Sequence, residues 1–321
     1  MPTTIAWAEE SWNPLRARNR EDGRVGHFCV HASAGCAGCY AEAFQLRLGT
    51  GVRYRAQDRG RVELYLDEAA LTAPLRWKRP RRIFVCSQTD LFLDDYPEAW
   101  IDRIMAVALS CPRHVFIVLT KRAARQRAYW TDPETPGRIA WQAVAMSREP
   151  RFDWPLVPLP NVWSCVSVED QEQANRRVPE LLATPAAVRG VSAEPLLEAV
   201  DLTRFAVQGS AGRNALTGEF YGVQFENAHQ RGTMTVKTVP RVHWLIVGGE
   251  SKTQLHAPRP FDLAWARQAI ADCQAAGVAV FMKQLGQHAV EDGRRLPPTV
   301  DRKGEDPAEW PADLRVRDYP R

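Results

Sequence analysis

Six short apolar runs, rich in β-branched and aromatic residues, recur along the chain, and each ends in a polar cluster. They are RIFVCSQTDLF, HVFIVLTKR, NVWSCVSVEDQ, AVRGVSAEPLL, VHWLIVGGES and VAVFMKQLG. Near-continuous apolar runs predict strands of a parallel sheet, because both faces of such a sheet are covered. Between most of them lie stretches with apolar residues at helical spacing: PEAWIDRIMAVALSC, QEQANRRVPELLA and PFDLAWARQAIADCQAAG. The last ends in Gly277, a C-terminal cap just before a strand. IAWAEESWNP supplies a weaker first strand, and CYAEAFQLRLG a helix after it. Alternating strands and helices predict an α/β fold. An array of about six to seven parallel strands predicts a full or partial (β/α) barrel, with a doubly wound open sheet as the alternative.

In either architecture the chemistry lies beyond the carboxyl ends of the strands, which is where the polar clusters fall. They comprise Ser87, Gln88, Thr89 and Asp90; Thr120 and Lys121; Ser167 and Glu169; Ser192 and Glu194; Gly248, Gly249 and Glu250; Lys283 and Gln284. One such cluster is ordinary loop polarity, and six at equivalent places predict the rim of one pocket. Two segments leave the alternation. Residues 204–240, rich in Gly and Thr, read as a hairpin-like insertion, and 290–321 as a C-terminal extension on a main domain of 1–289.

Composition narrows the class. Hydrophobic residues make up 45% of 321 and charged residues 25%, as in an ordinary globular chain. No apolar run is long enough to span a bilayer. The opening MPTTIAWAEESWNP carries acids where a secretory signal needs bases and then an apolar stretch, so a cytoplasmic, reducing environment is expected. A net charge of +4, 42 basic against 38 acidic residues, does not by itself announce nucleic acid. Two acid-free stretches, Arg76 to Arg82 and Arg113 to Arg127, are candidate phosphate contacts or simply solvated faces. Trp7, Trp12 and Trp163 read as packing residues rather than base-stacking platforms.

Seven cysteines, an odd number, fit metal or redox chemistry better than a disulfide framework. Cys29, Cys36 and Cys39 lie in HFCVHASAGCAGCY with the spacing C-x6-C-x2-C, between the first strand and the first helix. Three thiolates on a cubane iron–sulfur cluster leave its fourth iron position open for a small molecule. Zinc is the competing metal, since His27 or His31 completes a Cys3His set. Cys86, Cys111, Cys165 and Cys273 read as small buried apolar residues.

The ordered motifs TTIAWAEESWNP, C-x6-GCAGCYAE, RIFVCSQTDLF, VLTKR, NVWSCVSVEDQ, SAEPLL, LIVGGES and FMKQLG resemble the phage-associated three-cysteine-motif family over nearly the whole chain. More loosely, the three-cysteine loop before a (β/α) array resembles that of radical S-adenosylmethionine (SAM) enzymes, whose usual spacing, C-x3-C-x2-C, has a shorter first gap. That second resemblance implies a [4Fe-4S] cluster on Cys29, Cys36 and Cys39 that reductively cleaves SAM, and an external electron donor; the polar strand ends and the basic stretches point to a polar, nucleotide-related or nucleic-acid substrate. Within that reading, side-chain chemistry at the strand ends, not the resemblance, nominates Asp90, Ser167, Ser192, Gly248, Gly249 and Glu250 for ligand contacts, and Lys121, Glu169, Glu194 and Lys283 for catalytic or substrate-facing roles. Two other classes stay open: a non-radical iron–sulfur or zinc protein that binds nucleic acid, and an interaction component, phage- or defence-associated, that scaffolds a protein partner.

Overall fold

The apolar runs fold as strands of one parallel sheet in a computed structural model that describes residues 3–146, 157–207, 210–224, 233–237 and 240–321. The elements are β1 (Glu10–Trp12), α1 (Tyr40–Leu48), β2 (Arg82–Val85), α2 (Glu98–Leu109), β3 (Val115–Thr120), α3 (Ala123–Thr131), α4 (Thr135–Met146), β4 (Val162–Ser167), α5 (Gln171–Ala183), β5 (Val188–Ala193), β6 (Trp244–Gly248), α6 (Leu263–Ala275) and β7 (Ala279–Gln284). The hydrogen-bonded order of the sheet is β1-β2-β3-β4-β5-β6-β7, the order of the chain itself. A doubly wound sheet reverses its strand order at a switch point, and this one never does. Its order has two ends, β1 and β7, so the winding is that of a partial (β/α) array rather than a closed barrel.

Two compact units divide the chain. The first holds residues 1–166 with 184–187 and 252–257; the second holds 167–183, 188–251 and 258–321. In the first, Ile83 pairs with Glu10 on one side and Phe116 on the other, and Phe116 pairs with Val162. Helix α2 buries Ile101, Ile104, Met105 and Ala108, one stripe at helical spacing, and packs against α4. Trp7, Trp12 and Trp163 are buried in packing roles, as expected. The basic α3 and the pair it forms with α4 did not stand out in the sequence, because α3 has little amphipathic pattern. A small antiparallel sheet of Leu15–Asn19, Val25–Gly26 and Val62–Leu66 also lay hidden between β1 and β2.

In the second unit, β5 and β7 flank β6, with Ile246 opposite Ser192 and Phe281. Helix α5 buries Ala174, Val178, Leu181 and Leu182, again one stripe, and tolerates Pro179 inside it. Helix α6 ends as its Gly277 predicts. Gly277 takes φ +66°, its N–H donates to the Gln274 carbonyl at 3.1 Å, and the Val278 N–H donates to that of Cys273 at 2.8 Å. That pair of bonds is a Schellman cap, which satisfies carbonyls the helix end leaves open. The 204–240 segment contains the strands Phe205–Val207, Ser210–Arg213, Glu219–Gln224 and Thr233–Lys237 of an antiparallel sheet, with 208–209, 225–232 and 238–239 outside the described residues. The 290–321 segment returns to β7: the Met282 N–H donates to the Val316 carbonyl at 2.8 Å and the Asp318 N–H to that of Val280 at 2.7 Å.

Glu169 and Arg177 form a wholly buried ion pair, 2.9 Å apart, and Arg177 also donates to the Ser167 carbonyl at 2.8 Å. Removing one partner strands the other charge away from water. Arg177→Met is expected to lower unfolding free energy by about 3–5 kcal/mol, read as a shift of the denaturation midpoint. The core thiols make a second, pH-dependent prediction. Burial pushes Cys273 up to about 12, so the folded chain holds its proton where the unfolded chain has lost it. The contribution is fully present below the ordinary thiol value near about 8.5 and is lost as pH rises toward 12. Cys273→Ala is expected to flatten the alkaline fall in stability, and an unchanged slope would count against it.

Candidate functional site

The cysteine loop leaves β1 through Asn13 and the small antiparallel sheet and enters α1. Its backbone is tightly turned: the Cys36 N–H donates to Ser33 at 3.0 Å and the Cys39 N–H to Cys36 at 3.1 Å. Cys39 is the residue that caps the N-terminus of α1. Its side chain makes no capping hydrogen bond, while the Ala32 N–H donates to Cys36 Sγ at 3.4 Å. Such an N–H···S bond favours the thiolate, the form that ligates metals.

The three sulfurs also act on one another electrostatically. Burial pushes Cys29 up to about 12, helped by the nearby Asp90 carboxylate and by Cys39 and Cys36, and opposed by the Arg122 cation. Cys39 is pushed up to about 11, mainly by burial and then by Cys36, opposed by the backbone N–H groups of Glu42 and Ala41 nearby. Cys86 belongs to the same neighbourhood, its thiol raised by burial, by Asp90 and by Cys29. It sits just past β2 with φ +59°, a left-handed conformation uncommon for a side-chain-bearing residue.

Asp90 organises what surrounds the loop. Its Oδ1 accepts from Thr120 Oγ1 at 2.7 Å and the Phe92 N–H at 2.9 Å; its Oδ2 accepts from the Lys121 N–H at 2.9 Å and Arg122 Nη1 at 3.1 Å. Arg122 then donates through Nη2 to the Val30 carbonyl, 2.9 Å away, beside Cys29. Burial lowers the guanidinium, but the charge and hydrogen bond of Asp90, together with Cys29 and Asp94, offset that and hold it above its ordinary value. Asp90 therefore meets protein donors, and its influence on any ligand passes through Arg122. Lys121, picked out in the sequence, contributes its backbone N–H here; its neighbour Arg122, overlooked there, holds the loop.

Hydrogen bonds lace the loop to the turn after β2. Tyr40 donates to the Ser87 carbonyl at 2.5 Å, Tyr54 to that of Gln88 at 2.7 Å, and Thr89 to that of Phe28 at 2.5 Å. A cavity of about 300 Å³ adjoins, lined by Val30, Arg59, Leu93, Asp94, Asp95 and Arg122 among others. Arg125 fastens its wall by donating to the carbonyls of Leu93 and Tyr96. Arg59, Asp94 and Asp95 carried no recognisable signal, because the short 3-10 turn of Arg59 and the loop of Asp94 and Asp95 have no periodicity.

The sequence profile of a family described as protein of unknown function (DUF5131) matches residues 2–311. The chain belongs to that family. No curated protein and no solved structure matches it. Among the described residues of this DUF5131 protein, no group of three or more His, Cys, Asp and Glu side chains is arranged to hold a metal ion as it stands. What fits an iron–sulfur group is the donor set: three soft sulfurs within electrostatic reach, a backbone N–H donating to Cys36, and a cation beside Cys29. The histidines fit zinc poorly. His27 is buried with Nδ1 at 2.7 Å from the Leu15 carbonyl and Nε2 at 3.0 Å from Arg16, so both ring nitrogens are engaged. His31 Nε2 meets Glu42 at 2.7 Å.

The other nominated residues belong to the second unit. Glu194 and Lys283 form an ion pair at the ends of β5 and β7. Gly249 is a glycine because a Cβ there would fall 2.2 Å from the Leu285 carbonyl oxygen; its close approach is to the chain, not to an open pocket. Gln284 Nε2 donates to the Gly249 carbonyl at 2.7 Å and to Ser251 at 3.0 Å. Glu250 is clamped by Arg259, with Nε and Nη2 at 3.0 and 2.7 Å. Ser167, Ser192 and Glu169 are buried, and Glu169 is committed to Arg177. Gly248 stands beside Glu194 and Gln284, where a Cβ would make ordinary contact.

Charge around Cys29 yields opposite predictions for two conservative changes. In metal-free protein at pH 8, Asp90→Asn removes a group that raises the thiol and is expected to speed Cys29 alkylation. Arg122→Gln removes the opposing cation and is expected to slow it. Peptide mass spectrometry against reaction time reads both; equal rates would mean that Cys29 does not sense the pair.

Proposed function

We propose that Cys29, Cys36 and Cys39 hold an iron–sulfur cluster, [4Fe-4S] with three protein thiolates, and that the chain is a radical SAM-type enzyme. The observation that carries this reading is the three-thiol loop itself, with a backbone N–H donating to Cys36 and Arg122 beside Cys29. When bound, such a cluster supplies one electron, delivered by an external donor, for the reductive cleavage of SAM. The protein's own part is to bind and orient. Arg122, held by Asp90 and the Val30 carbonyl, offers a fixed cation at the cavity wall. Asp94 and Asp95 offer acceptors there, and Arg59, whose Nε donates to Asp95 at 2.7 Å, a second cation. A lining with both signs of charge suits a zwitterionic ligand better than a uniformly anionic one.

The two basic stretches support a nucleotide-related or nucleic-acid substrate unequally. Arg76, Lys78 and Arg79 are exposed ahead of the amino end of β2, away from the strand ends that carry the thiols. Arg122 and Arg125, from the second stretch, face the cavity loop. The polar substrate therefore meets the protein through the second stretch. No helix of the described residues is long and apolar enough to cross a membrane.

Anaerobic reconstitution with iron and sulfide, followed by incubation with dithionite and SAM, tests this reading. Broad visible absorption, about three to four irons per chain and 5′-deoxyadenosine are expected, with absorption lost in Cys29→Ala, Cys36→Ala and Cys39→Ala. Iron retained in all three variants would remove the cluster assignment. A cluster without 5′-deoxyadenosine, across candidate substrates, would remove the radical one.

A further inference from the structure

We infer that Cys36 and Cys39, in metal-free protein, form a redox-active dithiol that exchanges with low-molecular-weight disulfides and closes as a Cys36–Cys39 bridge. The backbone between them carries the argument. Residues 36–39 make one tight turn: the Cys39 N–H donates to the Cys36 carbonyl at 3.1 Å, and Ala37 holds φ −59° and ψ −38°. Those dihedrals belong to a type I turn, whose first and fourth Cα atoms lie less than about 7 Å apart. A disulfide needs its two Cα atoms about 4.4–6.8 Å apart. Two intervening residues leave little chain to order on closure, and the turn has already ordered it.

The surroundings of the turn suit exchange with a small molecule. Cys39 is half-buried and within reach of solvent, whereas Cys36 is buried. Around Cys36 the residues Ala34, Gly35, Ala37 and Gly38 carry nothing longer than a methyl, and Ala34 and Ala37 are exposed. The loop itself therefore puts no bulk in the way of a small disulfide. The Ala32 N–H, donating to Cys36 Sγ at 3.4 Å, supports the thiolate of the inner cysteine. Cys29 is engaged elsewhere: its thiol donates to the Val30 carbonyl at 3.7 Å, the same carbonyl that Arg122 holds.

Closure takes two exchanges. The Cys39 thiolate attacks one sulfur of the incoming disulfide; that S–S bond breaks, a mixed disulfide forms and one small thiolate leaves. The Cys36 thiolate then attacks Cys39 Sγ, which forms the bridge and expels the second small thiolate. The two cysteine sulfurs give up two electrons, and the incoming disulfide takes both. The protons lost by Cys36 and Cys39 end on the two departing thiols. Metal and bridge exclude one another, because a bridged sulfur no longer offers the thiolate that a metal takes. The bridge is thus a lock on metal loading, opened by reduction. It does not rest on the iron–sulfur reading, since the dithiol closes whichever metal the loop accepts.

For the test, the full chain, stripped of metal and fully reduced, is equilibrated without oxygen in mixtures of glutathione and glutathione disulfide. After acid quenching, the remaining thiols are alkylated in denaturant, and fragment mass spectra show which cysteines carry the tag. A Cys36–Cys39 bridge is expected to rise and saturate with the disulfide fraction, with the tag left on Cys29. Cys111, Cys165 and Cys273, all buried, are expected to stay reduced. In Cys36→Ser the closing thiol is gone, so the glutathione adduct on Cys39 is expected to exceed that of the wild type at least about ten-fold. A bridge that includes Cys29, adducts on Cys36 and Cys39 without a bridge, or no oxidation in any mixture would each overturn the dithiol. Oxidation of the three buried thiols to the same extent would place the bridge in unfolded chain and overturn it equally. The wild-type map decides the matter even if Cys36→Ser fails to fold.

Discussion

A single carboxylate decides the geometry of the thiol loop. Asp90 accepts four hydrogen bonds, from Phe92, Thr120, Lys121 and Arg122, and so joins the turn after β2 to the turn after β3. Through Arg122 it extends to the Val30 carbonyl and fixes the chain next to Cys29. A carboxylate buried among uncharged groups would be costly, but one that receives four donors, one of them charged, is satisfied. The same four bonds leave it little capacity for a ligand. Its contribution is to hold Arg122 in place and to set, by its charge, how readily Cys29 gives up a proton.

Much of the architecture was readable because parallel strands buried on both faces write themselves as unbroken apolar runs. All six runs became strands, and the weak seventh, IAWAEESWNP, became β1, shortened to Glu10–Trp12. The helix stop at Gly277 was legible for the same reason, since a left-handed cap has a residue preference strong enough to see. What escaped notice had no such preference. The sheet of Leu15–Asn19, Val25–Gly26 and Val62–Leu66 joins a short hairpin to a strand far along the sequence, and α3 mixes arginines with aromatics without a clear stripe.

The site was legible only as positions. Residue type and strand-end placement singled out Asp90, Glu169, Glu194, Glu250 and Lys283, and all of them proved to be buried or partly buried charged groups held in pairs. Which pair is structural and which faces a ligand depends on partners that sequence does not name. Glu169 lies against Arg177 on the next helix, Glu250 against Arg259 nine residues on, and Asp90 against Arg122 from another loop. The cysteines differ in that their chemistry is intrinsic to the side chain, so spacing alone brought them forward.

The return of the last residues to β7 carries a consequence for assembly of the sheet. As the terminal strand in the order, β7 would present an unpaired row of backbone groups along one side, a ready template for another chain. Phe281 instead bridges Arg317, and Val316 and Asp318 complete the backbone bonds around it. Those residues are made well after β7. Until they emerge during synthesis, that border stays open, so a chain stalled or cleaved before Val316 exposes a sticky edge although every helix and strand of the sheet is already present.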